Sequence, residues 1–145
     1  ERTPMQWEDA PNAGFTAGTP WLPLSADADR RNVDVLCDDS RSILTLYRRL
    51  LSLRRDHPAL SVGAWRGLAL PQDLAAEVFA FERLTDGETL RILLNFSNQG
   101  WSVPLDEGGP WTILLSTHSG RAGDRVERQL QLEPDEGVIL GPPGR

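Results

Sequence analysis

Apolar residues are spaced in different ways along this 145-residue chain, and each spacing predicts a different element. Ile43, Leu46, Tyr47, Leu50 and Leu53 recur at the i, i+3, i+4, i+7 intervals of one helical face, which predicts a helix over about 42–55. Asp39 or Ser40 can cap its start, Arg54 and Arg55 complement the dipole at its end, and Pro58 stops it. From about residue 61 the apolar residues gather instead in short β-type runs, at 64–70, 78–84, 89–96, 101–105, 111–116, 128–132 and 137–140. Asp86-Gly87, between the second and third runs, is a hairpin turn signal. Six or seven short strands at this spacing predict an antiparallel β-sandwich.

Residues 1–39 follow neither period. Pro4, Pro11, Pro20 and Pro23 break any helix there, and Gly14 and Gly18 mark turns. A loop of this length inside a compact domain is uncommon unless it is functional or disordered. Trp7, Phe15, Trp21, Leu22 and Leu24 argue for order, since each needs apolar neighbours. The expected organisation is therefore a loop over 1–39 and a helix over about 42–55, together making residues 1–60, followed by an all-β domain over 61–145.

Charge removes some functions from consideration. The net charge is −6, and all 15 basic residues are Arg, with no Lys. Nucleic-acid phosphates call for a clustered basic face, and the largest basic groups here are the pairs Arg30-Arg31, Arg48-Arg49 and Arg54-Arg55. The last two pairs read as a solvated helix face. No apolar run approaches the ~20 residues that span a bilayer. Cys37 is the single cysteine, which rules out an internal disulfide and a multi-cysteine zinc site. A lone thiol with no signal-peptide pattern fits a reducing, cytoplasmic setting. His57 and His118 have no metal-ligand spacing, so no metal and no cofactor are expected. Glu rather than Met at position 1 points to a piece of a longer protein.

Certain runs carry more specific information. Arg2-Thr3-Pro4-Met5-Gln6-Trp7, followed by Asn12-Ala13-Gly14-Phe15-Thr16, closely resembles the loop after the eighth barrel strand in the oligo-1,6-glucosidase-like α-glucosidases of glycoside hydrolase family 13. Residues 42–60, including Tyr47-Arg48-Arg49-Leu50 and Leu53-Arg54-Arg55-Asp56-His57-Pro58, resemble the last helix of that family's barrel. Leu93-Leu94-Asn95-Phe96-Ser97 and the closing run from Leu132 to Leu140 are similar to its C-terminal β-domain. The resemblance implies an α+β chain: the last loop and helix of a (β/α)8 barrel, then an antiparallel β-sandwich domain.

The implied chemistry is retaining cleavage of short α-glucosides. Such an enzyme needs two carboxylates roughly 5–5.5 Å apart across the scissile bond. The resemblance places the nucleophile Asp, the acid/base Glu and the stabilising Asp upstream of Glu1, so no catalytic residue is expected in this chain. Glu8-Asp9 is the tempting pair, but neighbours in an exposed loop point apart and nothing buries one to raise its pKa. By resemblance Arg2 reaches the non-reducing glucose, a role suited to a planar guanidinium; the alternative is an ion pair that anchors the loop. Trp7 reads as loop packing, with sugar stacking the alternative. Trp65, Trp101 and Trp111 read as core or junction residues, with a sugar platform the alternative, and Asn95 as a backbone cap. Glu8 stands where the family often has Asp, and the Gln usual after its Asn-Val segment is absent around Asn32-Val33. The expected partners are an α-glucoside oligosaccharide and an upstream catalytic barrel, and the isolated chain is expected to be inactive. Two alternatives stand beside this reading: a non-catalytic carbohydrate-binding or structural sandwich, and a transglycosylating relative such as a trehalose synthase.

Overall fold

The structure, a computed structural model, describes residues 2–105 and 109–143. The chain divides into two compact units, residues 1–48 and 49–145. The first holds a 3-10 turn, Pro11–Gly14, and helix α1, Val33–Asp38. Helix α2, Ile43–Asp56, starts in the first unit and ends in the second. The second unit continues with α3 (Pro58–Val62), β1 (Ala64–Gly67), α4 (Gln72–Ala75), β2 (Val78–Thr85) and β3 (Glu88–Asn95). It closes with β4 (Trp101–Pro104), β5 (Trp111–Ser116), β6 (Arg125–Val126), β7 (Gln129–Leu132) and β8 (Gly137–Gly141).

Two antiparallel sheets form the second unit. One has six strands in the order β1-β2-β3-β8-β5-β6, and the other pairs β4 with β7. Every expected β-run is a strand, and Asp86-Gly87 makes the two-residue turn that sets Thr85 opposite Glu88. The first run is shorter than expected, because β1 ends at Gly67 and the chain turns through Pro71 into α4. The two-residue β6 is too short for period-2 alternation to register.

Helix details differ from expectation. Residues 1–39 are not irregular throughout, since Asn32 caps α1 by accepting the Val35 N–H at 3.0 Å. A six-residue helix contains too few turns for an apolar face to be read. Helix α2 is capped by Ser42, whose Oγ accepts the Thr45 N–H at 3.1 Å, and not by Asp39 or Ser40. Asp39 instead accepts the Arg41 N–H. Pro58 follows the end of α2 and opens α3, where its missing N–H costs nothing. The apolar stripe of α2 is largely uncovered, with Ile43 73% and Tyr47 61% exposed.

The core lies between the two sheets. Val78 and Ala80 of β2, Leu93 of β3, and Val138 and Leu140 of β8 meet Val103 of β4 and Leu130 and Leu132 of β7, with Trp111 and Ile113 from β5. The i, i+2 alternation that turns Val78 and Ala80 inward also turns Glu82 inward, leaving it 1% exposed. Arg91 Nε, directly across on β3, donates to Glu82 Oε1 at 2.8 Å, and Arg66 of β1 reaches Oε2 through Nε at 2.8 Å and through Nη2. Burial alone would raise the Glu82 pKa, but the hydrogen bonds from Arg91 and Arg66 outweigh it and hold the carboxyl below its ordinary value of 4.5.

The opposite face of the large sheet carries Trp65, Phe79 and Phe81, with ring centroids 6.3 Å apart for Trp65–Phe81 and 5.4 Å for Phe79–Phe81. Helix α3 is pinned to β2 and β3 beside them. Glu88 accepts the Ala59 N–H and pairs with His57 Nδ1 at 2.5 Å, while Arg83 Nε donates to the Ala59 carbonyl at 3.1 Å. Gly63 follows at a close approach, where a Cβ would stand 2.4 Å from the Ala59 carbonyl oxygen.

Because the folded pKa of Glu82 is depressed, its contribution to stability is present above about pH 4.5 and is lost as pH falls through the folded value. Glu82→Gln should cost about 3 kcal/mol at neutral pH, since two arginines lose their charged partner. It should also flatten the acid limb of a Tm-against-pH curve. An unchanged acid limb in Glu82→Gln would remove Glu82 from this role.

Candidate functional site

The loop at residues 2–16 is braced by its own backbone. Trp7 N–H donates to the Ala13 carbonyl at 2.9 Å, while the carbonyls of Gln6 and Trp7 accept the N–H groups of Val33 and Asp34 at 3.0 Å each. Gln6 Nε2 donates to the Arg31 carbonyl at 2.7 Å. The loop thus uses the first N–H groups of α1, which have no partner inside the helix, to complete its own hydrogen bonding. Asn32 is buried beneath and also donates to the Ala28 carbonyl at 2.9 Å.

The reversal after Trp7 needs three left-handed residues in a row, Asn12 (φ 57), Ala13 (φ 52) and Gly14 (φ 67). Asn12 is a type that tolerates this conformation, and its amide donates to the carbonyls of Thr16 at 3.0 Å and Gly18 at 2.9 Å. Ala13 is buried in a region that alanine rarely occupies, which marks a conformation imposed by its surroundings. Gly14 lets Glu8 cross it, since a Cβ there would stand 2.7 Å from Glu8 Cγ.

Arg2 lies at the exposed start of this braced loop, with no ion pair or hydrogen bond among the described residues. Next to the loop, Thr3, Pro4 and Met5 face Val33, Leu36 and Leu44 across an open cavity of about 280 Å3. It has no acid or histidine in its lining and offers packing space rather than chemistry. Glu8 and Asp9 are exposed.

Neither carboxyl whose pKa is displaced suits a general acid. Asp27 and Glu82 are both held below the usual carboxylate range, the reverse of what proton donation requires. For Asp27 the leading cause is the Ser25 hydroxyl, which donates to Oδ1 at 2.5 Å. No group of three or more His, Cys, Asp or Glu that could hold a metal occurs among the described residues. His57 is engaged by Glu88, and no described helix is long and apolar enough to cross a membrane.

The three strand tryptophans do not make one platform. Trp111 is in the core at 3% exposure, and Trp101 is half-buried on the small sheet, donating from Nε1 to Ser97 Oγ at 2.8 Å. Trp65 alone is exposed, on edge strand β1. Asn95 is buried and serves the backbone, donating to the carbonyls of Gln99 and Glu133 and accepting from Ser97 N–H. Sequence reasoning missed Glu82 with its two arginines. The signal was available: Glu82 and Arg91 each fall on the inward parity of an otherwise apolar strand.

A loop packed on a short helix, followed by a two-sheet antiparallel domain, is the arrangement that closes the catalytic chain of an α-amylase-type glycoside hydrolase. The profile of the α-amylase catalytic domain matches residues 1–63, and that of a domain of unknown function (DUF3459) matches residues 65–139. The chain belongs to glycoside hydrolase family 13, carrying the end of the catalytic domain and the C-terminal β-domain. It is 38% identical over 98 residues to an oligo-1,6-glucosidase of Parageobacillus thermoglucosidasius, covering 68% of this chain and 17% of that relative. It is 32% identical over 139 residues to a trehalose-6-phosphate hydrolase of Escherichia coli K12, covering 94% of this chain and 24% of that one. Among solved structures, the trehalulose synthase of Pseudomonas mesoacidophila MX-45 superposes with a TM-score of 0.79 at 35% identity, covering 97% of this chain and 25% of that one. The chain thus spans no more than about a quarter of the length of these proteins.

Asn32 caps α1 and ties its start to the Ala28 carbonyl, so Asn32→Ala should cost about 1 kcal/mol through the lost cap, and more through the Ala28 carbonyl it leaves unpaired. Amide hydrogen exchange should rise first at Val33, Asp34 and Val35. Exchange rising equally over the whole chain would show a global role instead.

Proposed function

We propose that this chain is the C-terminal portion of a retaining α-glucosidase that acts on short α-glucosides. The observation that carries the reading is the ordered match along one chain, barrel end then β-domain, with substantial identity to oligo-1,6-glucosidases through it. The catalytic carboxylates belong to the upstream barrel, and this portion contributes a pocket-wall loop. Arg2 is its substrate contact, an exposed residue on a braced loop whose guanidinium donates to the hydroxyls of the terminal glucose. Without the barrel the chain is inactive.

The uncovered apolar surface supports the upstream barrel as partner. Ile43, Tyr47 and Leu51 are exposed on α2, and Trp65 and Phe79 on the large sheet. The single Cys37 supports a cytoplasmic enzyme.

Transglycosylation is the second reading, favoured by the similarity to trehalulose synthase structures, one of them solved with its substrate sucrose. The burial of Trp111 in the core and of much of Trp101 weighs against a free-standing carbohydrate-binding sandwich.

The test is the intact protein carrying this C-terminus, incubated with isomaltose, with the product anomer followed by NMR. α-Glucose released first supports retaining hydrolysis, and sugar transferred to a second sugar supports the alternative. Arg2→Ala in that protein should lower kcat/KM by about 10–100-fold, the loss of one or two hydrogen bonds to a charged donor. A change below twofold would remove Arg2 from the substrate site.

A further inference from the structure

A second polar feature lies far in sequence from the Arg2 loop and has no part in the glucosidase reading. Two guanidinium groups, Arg66 and Arg91, meet a single carboxylate, Glu82, which leaves one positive charge in excess inside the β-domain. Arg66 is mostly exposed, whereas Arg91 is 8% exposed and shares the Glu82 carboxylate with it, so that one carboxylate neutralises the two guanidinium groups only in part. One face of the Arg91 guanidinium lies 4.5 Å over the Trp111 ring. Its Nε is committed to Glu82 Oε1, and that is its only hydrogen bond among the described residues.

The Nη1–Nη2 edge is what remains for further bonding. Arg91 lines a cavity of about 390 Å3, where it is the only charged side chain among the described residues; Leu68, Leu70, Leu93, Val103 and Leu105 make up most of the rest of the wall. A ligand for this cavity must therefore be anionic at one end and apolar elsewhere. A sugar would leave its hydroxyls unpaired against this lining, and a dianionic phosphate would find one cation where it needs several donors. A carboxylate matches the in-plane fork of an arginine edge, and a short apolar body matches the leucine and valine walls.

We propose that this cavity in the β-domain is a binding site for a small organic monocarboxylate, held by the Arg91 Nη edge with its apolar body between Leu68, Leu70 and Val103. The Trp111 ring and Glu82 hold the guanidinium flat and in place, so little ordering of Arg91 accompanies binding.

Hexanoate is the probe, titrated into the intact protein carrying this C-terminus while the methyl resonances of Leu68, Leu70 and Val103 are followed by NMR. Saturable shifts at these methyls are expected, with 1-hexanol binding at least about tenfold more weakly because it has no charge-assisted bond. Arg91→Lys keeps a cation beside Glu82 but loses the fork, and should weaken hexanoate about tenfold. Ala69→Glu, at an exposed position on the cavity rim, should compete from within and weaken it similarly even if Arg91→Lys fails to fold. Non-saturating shifts, equal binding of 1-hexanol, shifts centred on Trp65 and Phe79, or full affinity in both variants would each overturn the site.

Discussion

A sheet whose central strands are apolar on both faces has to be covered twice, and the rest of this structure follows from that constraint. On β3, Leu93 points into the core, while Leu90, Ile92 and Leu94 fall on the other parity; on β8, Val138 and Leu140 point inward and Ile139 outward. One face is closed by the β4–β7 pair, which buries Val78, Ala80, Leu93, Val138 and Leu140. On the other face α3 covers Leu90, leaving Trp65 and Phe79 in solvent. The second face is therefore covered less completely than the first, with two aromatics at about half exposure.

This constraint also explains the arginines. Arg91 occupies an inward position on β3, beside Leu93, where burial of an unpaired charge would be prohibitive. Glu82 stands directly opposite in the β2–β3 register and supplies the partner, and Trp111 supplies a π face. The pairing tolerates no slip. A shift of β2 by one residue would send Glu82 to the outer face together with Val78 and Ala80 and set Phe81 or Arg83 opposite Arg91, so the ion pair enforces the same register that the apolar alternation sets. Polar specificity and hydrophobic burial agree here, which is the condition for a single well-defined sheet.

The strands were legible because period-2 alternation is strong wherever one face is buried, and the β2–β3 turn was legible from Asp86-Gly87 alone. Helix α2 was legible from its stripe, though its cap was misplaced by two residues because Asp39, Ser40 and Ser42 are all competent capping types and only packing selects among them. The helices α1, α3 and α4 were not legible: none exceeds six residues, and each is formed by tertiary support rather than by its own propensity. In the loop, Gly14 advertised a turn, but nothing in an alanine codes for the left-handed conformation of Ala13. That residue is dictated by the hydrogen bonds Trp7 and Glu8 make to its carbonyl, which are non-local facts.

The candidate site was legible in a different way. Arg2 carries no local signature that separates it from the other arginines, and only the surrounding run of Thr3, Pro4, Met5, Gln6 and Trp7 singles it out. The structure supplies the physical reason that run is informative. Its backbone is tied to α1 through Gln6 and Trp7 and folded back through Asn12–Gly14, so its conformation survives although it has no regular secondary structure. A loop built this way can hold a donor at a fixed place without contributing to the reaction itself. Division of labour then follows from chemistry: a donor to a hydroxyl needs positioning and solvent access, whereas an acid and a nucleophile need burial and opposed environments. The first requirement can be met by 16 residues of braced loop, which is the physical ground for proposing Arg2 as a substrate contact, whereas the second calls for the interior of a barrel.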